Sequence, residues 1–111
     1  MKILLLGYFK DEQSGVYIGE AFKKLGHQVI GIDIREIWAT YGSTEAQEKI
    51  ITEIDKNNFI PDMVLVLKGL SLTLPTLKKI KDKFKKAIFV NWFFDFYLHG
   101  IPIWENESYF D

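Results

Sequence analysis

Apolar residues dominate four short runs along this chain, Ile3 to Leu6, Val29 to Ile32, Met63 to Leu67 and Ala87 to Trp92. Such runs are the pattern of strands covered on both faces, as in parallel sheets, whereas strands with one wet face alternate. Segments of helical period separate them. The first predicts a helix from about Gly15 to Leu25, with Ile18, Ala21, Phe22 and Leu25 on one stripe and Gly26 as a left-handed C-cap. The second predicts a helix starting at Thr44, where the Thr44 hydroxyl and the Gln47 side chain have capping-box spacing and Ala46, Ile50, Ile51 and Ile54 form the buried stripe. Asn57 and Asn58 break that period, and Pro61 holds Ile60 extended before the third strand. The third helix is predicted from about Leu74 to Phe84. Pro75 falls in its first turn, where a missing N–H costs little, and Leu74, Leu77, Ile80 and Phe84 face the sheet.

Strand and helix in alternation predict an α/β fold: a Rossmann-like three-layer arrangement in which a parallel sheet of four strands is flanked by crossover helices. Strand order 2-1-3-4 is favoured over 3-2-1-4, because only one helix separates consecutive strands. In either order ligands seat beyond the carboxyl ends of the strands, over the loops Gly7 to Ser14, Lys68 to Thr73 and Phe93 to Trp104. The 111 residues make a single domain, with no internal repeat, linker or low-complexity segment.

Composition acts mainly by exclusion. Hydrophobic residues at 48% and charged residues at 26% are those of a globular protein rather than a disordered one. A net charge of -1 supplies no global field for nucleic acid or an anionic membrane. Six lysines lie between Lys78 and Lys86, but they ring the outer side and last turn of an amphipathic helix without stacking aromatics, so no nucleic-acid partner is expected. The absence of Cys removes thiol catalysis and thiolate metal sites, and no His pair has ligand spacing, so no metal is expected and none of the motifs requires a cofactor. The apolar start is too short for a signal peptide and no stretch approaches the ~20 apolar residues of a membrane span, which predicts a cytoplasmic protein.

The candidate chemistry lies at the predicted strand ends. Gly7 closes the first strand, Ser14 is a plausible cap and Gly15 opens the first helix, whose N-terminus can receive an anion or a sugar hydroxyl through free backbone N–H groups. The alternative is that these glycines only serve turns and close packing. The loop is not a dinucleotide fingerprint: it lacks the G-x-G-x-x-G spacing, and Asp11 and Glu12 would repel a pyrophosphate. Asp33 ends the second strand, either as a turn or cap residue or as an acid for a ribose hydroxyl. Lys68 and Gly69 follow the third strand, which sends the ammonium either into the crevice or out along the surface. Asp95 lies three residues beyond Trp92 among rings that can desolvate it into a general base, or it orders the loop through backbone N–H groups. His99 is nearby as a base or proton shuttle.

The order MKILLLG, a helix ending KKLGHQVIGID, PDMVLVLKG, LPTLKKIK and the strand IFVNWFFD resembles the N-terminal domain of GT-B glycosyltransferases of the CgeB-like, spore-protein type. The most specific pieces are PDMVLVLKG and the W-x-x-D of Trp92 and Asp95, and the resemblance covers nearly the whole chain. It implies two Rossmann-like domains facing a cleft, with a nucleotide-sugar donor held mainly by a C-terminal domain and an acceptor approached by the N-terminal one. This chain matches the first part of the N-terminal domain, so on this resemblance it is a domain fragment not expected to be active alone. Lys68, Gly69, Trp92 and Asp95 match the pattern; Asp95 is the candidate for base or acceptor orientation and Lys68 for an acceptor or donor phosphate.

A second class of function stays open beside the enzyme. Seven of the 19 residues from Phe93 to Asp111 are Phe, Tyr or Trp, and each ring left in water forfeits roughly 1.5–3 kcal/mol of burial. A non-enzymatic module that binds a small ligand, or assembles through this aromatic tail, accounts for them equally. Either way the open sheet edge and the tail are expected to pair with a second copy as a homodimer.

Overall fold

The structure, a computed structural model, describes residues 1–10, 14–68 and 71–92. Eight elements follow one another: β1 (Lys2–Gly7), α1 (Ser14–Lys24), β2 (Gln28–Asp33), α2 (Ile34–Tyr41), α3 (Glu45–Lys56), β3 (Met63–Leu67), α4 (Leu74–Lys83) and β4 (Ile88–Trp92). The four strands form one parallel sheet in the order β2-β1-β3-β4. This is the expected Rossmann-like α/β fold in the favoured strand order. Among the described residues no helix is long and apolar enough to cross a membrane.

Two cores explain the three layers. On one face Leu4, Leu6, Val64, Val66 and Phe89 meet Ile34, Ile50, Ile54, Leu77 and Ile80, so α2, α3 and α4 share that side. On the other, Ile3, Leu5, Leu65 and Leu67 meet Ile18 and Phe22 of α1. Successive residues of a strand point to opposite faces, and the central pair β1 and β3 is apolar from Ile3 to Leu6 and from Met63 to Leu67 because both faces are covered. The outer strands depart from that expectation: β2, at one edge of the sheet, is mostly half-buried or exposed, and Ile88 and Trp92 of β4 are about half exposed, because α1 packs on β1 and β2 and leaves the β4 side of its face uncovered by a helix among the described residues.

Several helix expectations need correction. The stretch between β2 and β3 contains two helices rather than one. α2 is an additional helix, started by Asp33, whose Oδ1 accepts from Glu36 N at 2.8 Å, and stopped by Gly42 at φ 84°. The Thr44–Gln47 capping box is not formed: Thr44 has helical dihedrals and makes no side-chain cap, while Gln47 reaches the backbone of the β3–α4 connection. Ala21 in α1 and Leu25 just beyond its end are exposed rather than buried, because the helix meets the sheet along Gly15, Ile18, Gly19 and Phe22. Gly26 has the positive φ expected of it, 91°.

Candidate functional site

The carboxyl ends of the strands are where the connections part. The chain leaving β1 passes to α1 on one face, and the chain leaving the adjacent β3 passes to α4 on the other. A crevice opens where neighbouring connections diverge in this way, so the β1–β3 boundary is the position at which a parallel α/β sheet receives a ligand.

Gly7 stands at that boundary beside Leu67. A Cβ on Gly7 would lie 2.9 Å from Leu67 Cδ1 and 3.2 Å from its Cβ, so here glycine lets the ends of β1 and β3 close together. Gly15 has a similar duty. Its N–H donates to Tyr8 O at 3.1 Å, so this amide is occupied rather than free for an anion, and the connection from β1 is drawn against the start of α1. Ser14 lies within the first turn of α1 instead of before it.

Asp33 takes the capping reading and more. While Oδ1 caps α2, Oδ2 accepts from Phe9 N at 3.1 Å, so a single carboxylate ties the exit of β1 to the start of α2. Both oxygens serve backbone N–H groups, the arrangement that orders a loop. Phe9 completes the arrangement by laying its ring over Gly31, where a Cβ would come within 2.7 Å of Cζ.

Lys68 leaves β3 with φ 67°, the left-handed region, and its N–H donates to Trp92 O at 2.9 Å. Lys68 and Trp92 are therefore neighbours at the ends of adjacent strands. Behind them Gln47 clamps the β3–α4 connection: Nε2 donates to Ser71 O at 2.9 Å, and Oε1 accepts from Thr73 N at 3.1 Å. Ser71 and Thr76 are the buried polar residues of this corner, and the Thr76 hydroxyl meets that of Thr73 at 3.1 Å. On β4, Asn91 pairs in register with Val66 and buries its Oδ1 without a hydrogen-bond partner.

Gly7, Ser14, Gly15, Lys68 and Trp92 thus all lie along the carboxyl edge. Gly69, Asp95, His99 and the aromatic segment 93–111 lie outside the described residues, and with them the pairing of Lys68 with Asp95. Two residues that the sequence reading passed over join the site. Tyr8 follows Gly7, and the Arg35 guanidinium carbon sits 4.7 Å from the centre of its ring. The available signal was D-x-x-E from Asp33 to Glu36, a capping pattern followed by apolar residues at helical spacing. It places Arg35 in a first helical turn immediately after a strand.

At the opposite, amino edge a groove of about 250 Å³ runs between the ends of α3 and α4, lined by residues including Phe59, Ile60 and Phe84. Its rim is closed by Lys83 and Asp55, 2.8 Å apart. The groove lies away from the point where connections diverge, and none of the described candidate site residues, Gly7, Ser14, Gly15, Lys68 and Trp92, lines it. Among the described residues no cluster of three His, Asp or Glu could hold a metal ion. Comparison with protein-family models, curated proteins and solved structures finds no match for this chain.

Proposed function

We propose that this chain is the acceptor-side, Rossmann-like region of a nucleotide-sugar-dependent glycosyltransferase, with a sugar ligand seated over the carboxyl ends of β1 and β3. The observation that carries the reading is the pairing of Lys68 with Trp92. The two residues come from the segments most specific to the resemblance, PDMVLVLKG and VNWFFD, and their backbones are joined at 2.9 Å beside the crevice. Lys68 holds a left-handed conformation that costs a non-glycine residue roughly 1–2 kcal/mol. A non-glycine residue held in this region beside a crevice directs attention to what its side chain does there. An ammonium contacts sugar hydroxyls or a phosphate, and an indole offers an apolar face to a pyranose ring. Asp95 remains the candidate for the base that deprotonates the acceptor hydroxyl, and a nucleotide-sugar donor would be held mainly by a second domain.

The test is an amide NMR titration of the full chain with a panel of hexoses and glycosides. Saturable shifts centred on Lys68, Trp92 and Tyr8 are expected, weakened in Lys68→Ala. Shifts confined to the amino-edge groove, or none across the panel, would remove the reading.

A second reading, an assembly module, is favoured by one observation: Ile88 and Trp92 expose about half their surface on the outermost strand β4. Edge strands with apolar side chains invite pairing with another chain. Sedimentation of wild type against Ile88→Lys decides it, since a dimer held by this edge dissociates in the variant.

A further inference from the structure

The sequence contains one arginine, and the fold brings it to the carboxyl edge. Arg35 lies in the first turn of α2, with its guanidinium carbon over the Tyr8 ring at 4.7 Å from the ring centre. Tyr8 itself follows Gly7, which pairs with Asp33 on β2 and approaches Leu67 at the end of β3, so Tyr8 and Arg35 leave the carboxyl ends of the adjacent strands β1 and β2. Among the described residues no carboxylate pairs with Arg35. The nearest in sequence on the strand side, Asp33, has turned both oxygens to the amides of Phe9 and Glu36.

A guanidinium held over an aromatic ring by a cation–π contact does not spend its N–H donors on a hydrogen-bond acceptor there, so they remain available in the guanidinium's own plane. That fork matches two oxygens of a phosphate or carboxylate, which an ammonium cannot do. Stacking also limits the rotamers of a long side chain, which lowers the entropy lost on binding.

We infer that Arg35, oriented by Tyr8, binds an oxyanion group, phosphate or carboxylate, on the ligand that occupies the β1–β3 crevice. The inference rests on the reading of this edge as the sugar site and narrows the ligand to an anionic sugar. The recognising contact is the bidentate pair to Arg35.

A single arginine makes the test direct, because its Nε–Hε correlation is the only arginine side-chain signal of the chain. The full chain is titrated with inorganic phosphate, glucose 6-phosphate, glucuronate and glucose, with sodium chloride at matched ionic strength as control. A saturable Nε–Hε shift with any of the three anions, absent with sodium chloride and glucose, is expected. Tighter binding of glucose 6-phosphate or glucuronate than of free phosphate assigns the oxyanion to a sugar, and equal binding assigns it to phosphate itself. Tyr8→Leu should weaken binding about two- to fivefold, the size of one exposed cation–π contact. Arg35→Lys, followed at the Lys68 amide, should weaken it about tenfold or more. An Nε–Hε response no larger than that to sodium chloride overturns the inference, as does undiminished binding in an Arg35→Gln variant with a native amide spectrum. Loss of the anion response with sugar shifts retained at Lys68 and Trp92 removes this inference alone. An anion response without any sugar response removes the glycosyltransferase reading and leaves Arg35 as an oxyanion site.

Discussion

Gly15 donates its N–H to Tyr8 O at 3.1 Å, and the same carbonyl oxygen stands 2.5 Å from where a Cβ on Gly15 would be. The hydrogen bond and the missing side chain are one feature: the loop leaving β1 folds so tightly onto the start of α1 that only glycine fits. Four residues on, a Cβ on Gly19 would meet Leu5 Cδ2 at an ordinary 3.6 Å.

The two glycines should therefore respond oppositely to alanine. Gly15→Ala forces a backbone oxygen aside and should cost about 1–3 kcal/mol, as overpacking does. Gly19→Ala fits its space and gains helix propensity, so it should be neutral or stabilising by up to roughly 1 kcal/mol. Urea melts of both variants check the pair, and equal losses would show that α1 does not approach the sheet through its glycines.

Leu5 faces Leu65 in register on the central strand pair and is fully buried, whereas Leu25 at the end of α1 is 73% exposed. Leu5→Ala should cost about 2–5 kcal/mol, with cavity and transfer costs adding. Leu25→Ala should change stability by less than about 0.5 kcal/mol. Denaturant midpoints in the reverse order would refute the orientation of α1.

Gln47 spans from α3 to the β3–α4 connection with both ends of its amide engaged. Gln47→Ala leaves Ser71 O and Thr73 N without that partner and should cost about 1–3 kcal/mol. Hydrogen exchange at the Thr73 amide should accelerate by more than the global loss of stability explains. Unchanged protection there would mean that the clamp does not hold the loop.

At the candidate site, stability and binding should separate. Lys68→Gly relieves the left-handed strain and Asn91→Val removes a buried acceptor without a partner, so each variant should be more stable, by about 1 kcal/mol. Lys68→Gly should at the same time lose sugar-induced shifts at Tyr8 and Trp92. A variant that gains stability and keeps full binding would make Lys68 a structural accident of the turn.

What the sequence determined by itself was the set of strands and their order. Continuous apolar runs have only one economical place in a globular protein, the covered middle of a parallel sheet, and single helices between them leave few topologies. The central positions Leu5 and Leu65, the glycine stop at Gly26 and the start of α4 at Pro75 are all local or periodic signals, legible one segment at a time. The edge strands were less legible, because a run of β-branched residues does not reveal how far a neighbouring helix reaches. Tertiary structure alone decided which face of α1 is buried: its line of contact runs through Gly15 and Gly19, and hydrophobic periodicity gives no weight to residues that have no side chain. It also decided the reach of Gln47 to Ser71 and Thr73, 24 and 26 residues away, and the second bond of Asp33, to Phe9, 24 residues away. The meeting of Arg35 with Tyr8 belongs to the same class. A sequence specifies that a guanidinium and a ring exist, but their apposition depends on β1 and β2 ending side by side, which is a property of the folded sheet.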